Sequence, residues 1–395
     1  MSLDFIIMYK QVSLTDSNFR YLSVVKRDSY IRQRDNLLAR EEPSLDRLAS
    51  FTENVIGRFS LGQSLVLDAV INSKTYHLPL VTEEPSVIAA LNKAVKLFNR
   101  CGVSSSHDLQ HVLAGQVHFC LTGVSFDEVS SYLKNNEMAI KTQCINSVPK
   151  LSRLIARGGG FSGPFTVLKL ENSDYCKLEF NLDVQESMGA NTVNLVAEYI
   201  ASMLKQTFQN SIRIIFSILS NDCSNRKSYA SVSIPLNSCD TIPSSVAKQI
   251  QEASTIAFLD KQRAITHNKG IMNGVSALAL ATGQDTRAIE AAVHFYAQNL
   301  GHDQHYGPLS SWTIKDNVLF GKIALPTPVS VVGRLKDNHD HVNDNLVELM
   351  QNPTSFELGH CLAYVGLASN FSALLALVTD GISKGHMALH DCGVS

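Results

Sequence analysis

The sequence predicts a mixed α/β fold, α+β in detail. A large helix-rich domain is built around a small sheet, a smaller α+β domain is inserted within it, and a short helical segment precedes both. The 395 residues correspond to two or three domains at about 100–200 residues each, large enough to bury their cores without disulfide or metal staples. A composition of 45% hydrophobic and 18% charged residues, with mean hydropathy +0.01, excludes a largely disordered or coiled-coil chain. From about residue 108 to 220 strands and helices alternate in a compact block before larger helices return, the pattern of an inserted α+β unit.

Residues 1–50 are charge-rich and hold one helix-like segment, 18–38, read as an appendage that does not fold alone. Residues 64–81 alternate like two strands joined by an Asn72-Ser73 turn. Glu83-Glu84-Pro85-Ser86 follows, and proline is tolerated at a first helical position. Val87, Ile88, Leu91, Ala94, Val95 and Phe98 then recur at helical spacing until Gly102, which puts Glu84 at a strand-to-helix junction. Within the inserted block the expected order is strand, helix, hairpin, helix, strand. The hairpin joins 165–170 to 177–184 through Asn172-Ser173-Asp174, and Leu178, Phe180, Leu182 and Val184 alternate with polar residues. A helix is expected over 193–204, a strand over 212–219, helices over 244–259 and 285–300, and a long apolar stretch over 356–378.

The 34 basic residues nearly cancel the 36 acidic ones, leaving a net charge of −2. No global field holds a polyanion or a membrane surface, so nucleic acid is not an expected partner. Eight cysteines are scattered with no Cys-x-x-Cys pair, against a disulfide framework or thiolate zinc site and in favour of a reducing compartment. The apolar run at 5–8 lacks the basic region and length of a signal peptide, and no run is read as approaching the ~18–20 apolar residues of a membrane span. The expected location is the cytoplasm, with no membrane contact. No metal is expected: His302, His305, His339 and His341 sit in Asp/Asn-rich loops and read as solvated, and the i,i+4 pair His107 and His111 has no evident third partner.

Gly158-Gly159-Gly160-Phe161-Ser162-Gly163 has the spacing G-x-G-x-x-G, but a dinucleotide loop needs a strand before it and a helix after it. Here a helix-like segment, 148–157, precedes and a strand follows, so a helix C-cap and turn is expected. Glu186-Ser187-Met188-Gly189-Ala190-Asn191 leads into a helix. The free N–H groups at such a start would let a ligand approach the backbone at Gly189, while Asn191 as a plain N-cap accounts for the same residues. Thr266 to Gly274 places Lys269 among polar groups in a glycine-bounded stretch, unlike a solvated surface lysine. Asp285 opens a helix, either as its N-cap or as an anion that holds a lysine. His386 follows a long helix, where a lone histidine is more often structural than catalytic.

Five stretches occur in a telling order: Glu53-Asn54-Val55-Ile56-Gly57, Glu83-Glu84-Pro85-Ser86, Met188 through Asn194, Thr266 through Gly274, and Gly385 through His390. Together they make the chain resemble 3-hydroxy-3-methylglutaryl-CoA (HMG-CoA) reductase of class II, the bacterial and archaeal branch. The resemblance implies four-electron reduction of HMG-CoA to mevalonate and CoA with a nicotinamide cofactor, in the mevalonate route to isoprenoids, or the reverse. It implies a large HMG-CoA-binding domain at 51–108 and 221–379, an inserted NAD(P)-binding domain at 109–220, an N-terminal segment at 1–50, and, at 380–395, the start of a C-terminal flap that is truncated or absent. It further implies a homodimer with active sites at the subunit interface, or a higher multiple.

By the same resemblance Glu84, Lys269, Asp285 and His386 are catalytic. Lys269 would stabilise the developing oxyanion, Glu84 would deliver a proton, Asp285 would tune both, and His386 would protonate the departing CoA thiolate. Ser86, Arg263 and Asn273 would bind substrate, Arg263 through its free carboxylate. Glu186, Met188, Gly189, Asn191 and Asn221 would bind the cofactor; Glu186 stands where the family usually has aspartate. The resemblance puts Leu151 where NAD-preferring members carry an aspartate for the ribose, while Lys141, Lys150, Arg153 and Arg157 surround that position. NADPH is therefore favoured and NADH possible. Two other readings stay open: a catalytically impaired CoA-ester sensor or scaffold, and an NAD(P)-dependent oxidoreductase of a related branched acyl-CoA.

Overall fold

The computed structural model describes residues 45–50, 52–84, 86–108, 111–236, 242–333, 340–379 and 381. The expected helix at 18–38, Pro85, His339, the side chain of His341, and His386 with the rest of 385–390 lie outside the described residues. The chain divides into two compact units, 1–59 and 60–395. Of the first, a short helix, Leu45–Ala49, is described; the account below concerns the second.

β1 (Gln63–Ile71) and β2 (Lys74–Val81) form an antiparallel hairpin with Ile71 opposite Lys74. Asn72 and Ser73 turn it at φ 50° and 65°, the pair of positive φ angles whose twist suits flanking strands. α1 (Val87–Cys101) buries Val87, Leu91, Ala94, Val95 and Phe98, the helical stripe read from the sequence. The inserted block runs β4 (Val112–Leu121), α2 (Phe126–Ser147), α3 (Pro149–Ile155), β5 (Gly160–Phe161), β6 (Thr166–Lys169), β7 (Tyr175–Asp183), α4 (Ala190–Phe208) and β8 (Ile212–Leu219). Its sheet is antiparallel in the order β5-β7-β4-β8, with β6 pairing β7. Ser125 and Glu128 close a capping box at the start of α2, which satisfies two otherwise orphaned groups.

A second antiparallel sheet, in the order β10-β11-β9-β3, joins β3 (Val103–His107), β9 (Lys227–Pro235), β10 (Ser310–Lys315) and β11 (Val318–Pro326). Around it lie α5 (Ser244–Leu259), α6 (Lys261–Ala281), α7 (Thr286–Ala297) and α8 (Ser355–Val378). Buried side chains separate into two cores. The larger gathers Leu78, Leu80, Phe98, Ile234, Trp312 and Phe371 with the faces of α6 and α8; the other gathers Val117, Phe119, Phe180, Leu182, Val196 and Ile200 from the inserted block.

One expectation is corrected. α8 is, by length and composition, apolar enough to cross a membrane: its best 18-residue window has mean hydropathy 1.8. Yet 67% of that window is buried inside the protein, with Phe98 edge-on to Tyr364 at 5.9 Å and Trp312 against Phe371 at 5.2 Å. A helix apolar on all sides belongs in a core as readily as in a bilayer, and here the core accounts for it. α8 also meets α6 closely: a Cβ on Gly274 would lie 2.2 Å from Ser369 Oγ and 2.6 Å from Val365 Cγ1.

Candidate active site

Glu84 lies in the short connection between β2 and α1, where its backbone N–H donates to Thr82 Oγ1 at 3.1 Å. Across from it, on α6, Lys269 Nζ approaches Glu84 Oε2 at 3.3 Å. The side chains are 59% and 35% exposed, so this is a water-accessible ion pair open to an incoming ligand. The neighbours of Lys269 show what holds it there. His267 Nε2 is 2.8 Å from Ser310 Oγ and 3.0 Å from the Asn370 amide. Asn268 donates to Tyr306 Oη and Gly307 O and accepts from Leu309 N. Burial pushes His267 down to about 3, so it is neutral and acts as a spacer. The polar run in the Thr266–Gly274 stretch is thus divided: His267 and Asn268 pin α6 to its core, and Lys269 faces Glu84.

Asn273, one turn beyond Lys269, shares its face of α6 and is half-buried. Arg263, also half-buried, has its pKa lowered by burial, against a raising influence from Asp260. Ser86 starts α1 at φ 70°. Asp285 realises the N-cap reading: its Oδ1 accepts from Ala288 N at 3.1 Å and lies 3.5 Å from Arg287 Nε. Among the described residues it forms no hydrogen bond or ion pair with Glu84 or Lys269.

The Glu186–Asn191 segment joins β7 to α4. Gly189 is the N-cap at φ 93°, with no side-chain cap, and a Cβ there would lie 2.3 Å from Val184 Cγ1. Asn191 is therefore not the cap; it sits exposed in the first turn, and α4 begins three residues earlier than 193. Glu186 Oε2 accepts from Ser355 N, at the start of α8, at 2.6 Å. Met188 O accepts from Arg226, and Asn221 is exposed just after β8. The triple glycine follows α3 and leads into β5, the helix-then-strand order the sequence predicts, and Gln185 Nε2 reaches Gly158 O at 3.5 Å. Of the four basic residues nearby, Lys141 is taken up by Glu137 at 2.5 Å and Gly163 O at 2.8 Å; Lys150 is half-buried, and Arg153, which donates to Pro149 O at 3.3 Å, and Arg157 are exposed. Leu151 is fully buried in the inserted core and cannot face a ribose.

A family model described as Hydroxymethylglutaryl-coenzyme A reductase matches residues 22–391. The chain belongs to this family. It is 34% identical to the probable 3-hydroxy-3-methylglutaryl-coenzyme A reductase of Borreliella burgdorferi, over 99% of this chain and 88% of that protein. It is 32% identical to the reductase of Archaeoglobus fulgidus, over 88% and 77% respectively. Among solved structures, the reductase of Streptococcus pneumoniae superposes with a TM-score of 0.82 at 32% identity, covering 92% of this chain and 99% of that one. The same enzyme is described as class II and has been seen bound to NADPH in open conformations. The chain is thus a class II member of an oxidoreductase family.

Two features of this reductase were not foreseen. His107, expected to lack a third partner, has one: its Nδ1 is 2.9 Å from His360 Nε2, and its ring stacks on Phe356 at 3.8 Å. His111 bonds Gln185 O at 2.9 Å through Nδ1, which is also 3.2 Å from Ser355 Oγ. Burial pushes His111 to about 3, with the Arg226 charge adding to it, and His360 to about 4 against the opposing influence of Glu357, so both are neutral. Among the described residues no group of three or more His, Cys, Asp or Glu could hold a metal ion. The second feature is Arg226, buried beside the Glu186–Asn191 segment. No local pattern separates a buried arginine from a surface one, so the sequence held no signal for it.

Proposed function

We propose that the chain interconverts HMG-CoA and mevalonate plus CoA, a four-electron reduction in the biosynthetic direction, at the Glu84–Lys269 pair. The observation that carries this is the 3.3 Å approach of an ammonium to a carboxyl from distant parts of the chain, in a class II member of the family. A nicotinamide cofactor, when bound, supplies the hydride. Lys269 places a positive donor where charge develops on the substrate oxygen, and Glu84 is the carboxyl group positioned to pass a proton to that oxygen. Substrate seated over the pair would exclude the water that now reaches both groups and strengthen their electrostatics. By the family resemblance His386 would protonate the departing thiolate, and Asp285, engaged as the N-cap of α7, would act on the pair only through space. Ser86, Arg263 and Asn273 hold the substrate, Arg263 through a carboxylate.

The residues present fit a dinucleotide: α4 starts at Gly189 without a side-chain cap, which favours an anion against its free N–H groups. Glu186, Met188, Gly189, Asn191 and Asn221 would hold it. Lys150, Arg153 and Arg157 near the triple glycine favour a 2′-phosphate, so NADPH is preferred over NADH; Leu151, being buried, adds nothing to this choice. We assign the larger core to substrate binding (51–108 and 221–379) and the inserted core to the cofactor (109–220). A cytoplasmic homodimer with its sites at the subunit interface completes the reading, supported by exposed Ile256, Phe258, Leu259 and Ile265 where α5 meets α6. The test is oxidation of NADPH followed at 340 nm with HMG-CoA, repeated with NADH. Turnover with a higher kcat/KM for NADPH is expected; binding of HMG-CoA without turnover would favour a CoA-ester sensor.

A further inference from the structure

Arg226 is 1% exposed. Its Nη1 donates to Met188 O at 3.3 Å, and its Nη2 donates to Ser187 O at 3.3 Å and to Val329 O at 2.5 Å. Its Nε has no partner, and Asp183 and Glu186 act on it only through space. Its own backbone is fixed on both sides, by Arg226 N to Cys223 O and by Thr327 N to Arg226 O, each at 2.9 Å. Burying a guanidinium that holds only carbonyl groups and leaves one N–H unsatisfied is costly, more than a loop needs merely to close.

Two of the three carbonyls it holds belong to one short segment, and other groups take the rest of that segment. Gln185 O is held by His111, Glu186 O by Val331 N at 3.2 Å, and Gly189 O by Val193 N at 3.0 Å. Each carbonyl from 185 to 189 is thus engaged, and Arg226 donates to two of them while its third bond runs to Val329 O. The fork geometry of a guanidinium can span two successive carbonyls; a single ammonium cannot do so with the same direction.

We propose that Arg226 is the positioning residue of the cofactor segment, setting the angle at which Met188, Gly189 and the start of α4 are presented and tying that angle to Val329 in the larger core. It touches neither substrate nor cofactor. This rests on the reading of Glu186–Asn191 as the cofactor segment, so the experiment carries a control for that reading: Asn191→Ala, an exposed residue.

The experiment uses the full chain, with the dissociation constants of NADPH and HMG-CoA measured separately and amide hydrogen exchange read over 187–193. For Arg226→Met the NADPH constant is expected to rise at least tenfold and that of HMG-CoA less than threefold, with exchange accelerated in 187–193 and unchanged in β4 and β7. Arg226→Lys keeps the charge but not the fork and is expected to behave as Arg226→Met; it is the variant read if Arg226→Met does not fold. Wild-type NADPH affinity in Arg226→Lys, or an equal loss for both ligands, overturns the proposal. If Asn191→Ala leaves NADPH affinity unchanged, the cofactor reading itself fails; if it weakens binding while Arg226→Lys does not, positioning alone fails.

Discussion

Lys269 and Glu84 meet at 3.3 Å across a sequence separation of 185 residues, and that approach singles out the candidate site better than either residue type does. Replacing Lys269 by Ala should lower kcat by about 10²–10³-fold, the usual loss for one preorganised oxyanion donor, with NADPH affinity retained; stopped-flow titration and steady-state rates check both halves. Glu84→Gln keeps the size and loses the proton, so kcat should fall by about 10²–10⁴-fold with the HMG-CoA dissociation constant little changed. Two buried histidines and a half-buried one give a pH prediction. His111, His267 and His360 are held neutral, near 3, 3 and 4 instead of the ordinary 6.5. The unfolded chain takes up these protons first as pH falls, so stability is full above about 6.5 and is lost progressively toward about 3. Melting temperature followed over that range should drop, and His360→Gln should make the drop shallower. The sequence showed the reactive residue types, since glycine and polar neighbours made Lys269 conspicuous. It could not show that His267 and Asn268 serve packing, because that depends on Ser310, Tyr306 and Asn370 from elsewhere in the chain.

At the scale of elements, strong periodicity made boundaries legible. The hairpin of β1 and β2, the stripe of α1, β8 and α5 lie where alternation and helical spacing put them. α4 begins earlier than read because Gly189, at φ 93°, takes the capping position that a side-chain amide would otherwise fill. β9, β10 and β11 escaped individual notice, since their identity as one sheet comes from pairing between distant segments. α6 and α8 illustrate a contact that only small residues permit. Gly274→Val should destabilise the fold by about 1–3 kcal/mol through overpacking against Val365 and Ser369, read as a lower urea midpoint. Gly270→Ala, whose Cβ would meet Ala373 Cβ at an ordinary contact distance of 3.7 Å, should gain up to about 1 kcal/mol from helix propensity.

At the scale of the molecule, two cores lie within the 60–395 unit, Arg226 ties the 187–188 carbonyls to Val329 between them, and the exposed apolar residues near the α5–α6 junction ask for a cover. A Leu259→Asp, Ile265→Asp double variant should sediment as a monomer and lose activity at least tenfold, if each site is completed by a second copy; an active monomer would refute the assignment. The central place of α8 has a consequence for how the protein is made. Nearly all of the inserted core comes from residues 113–212, so a nascent chain can finish it while translation continues. The larger core starts with Val66 and waits for Leu374. Phe98 and Trp312 have no Tyr364 or Phe371 to close against until the ribosome has supplied α8. During that interval the earlier half of the larger core must be shielded by chaperones or by its own loose collapse, and the domain begun first is completed last.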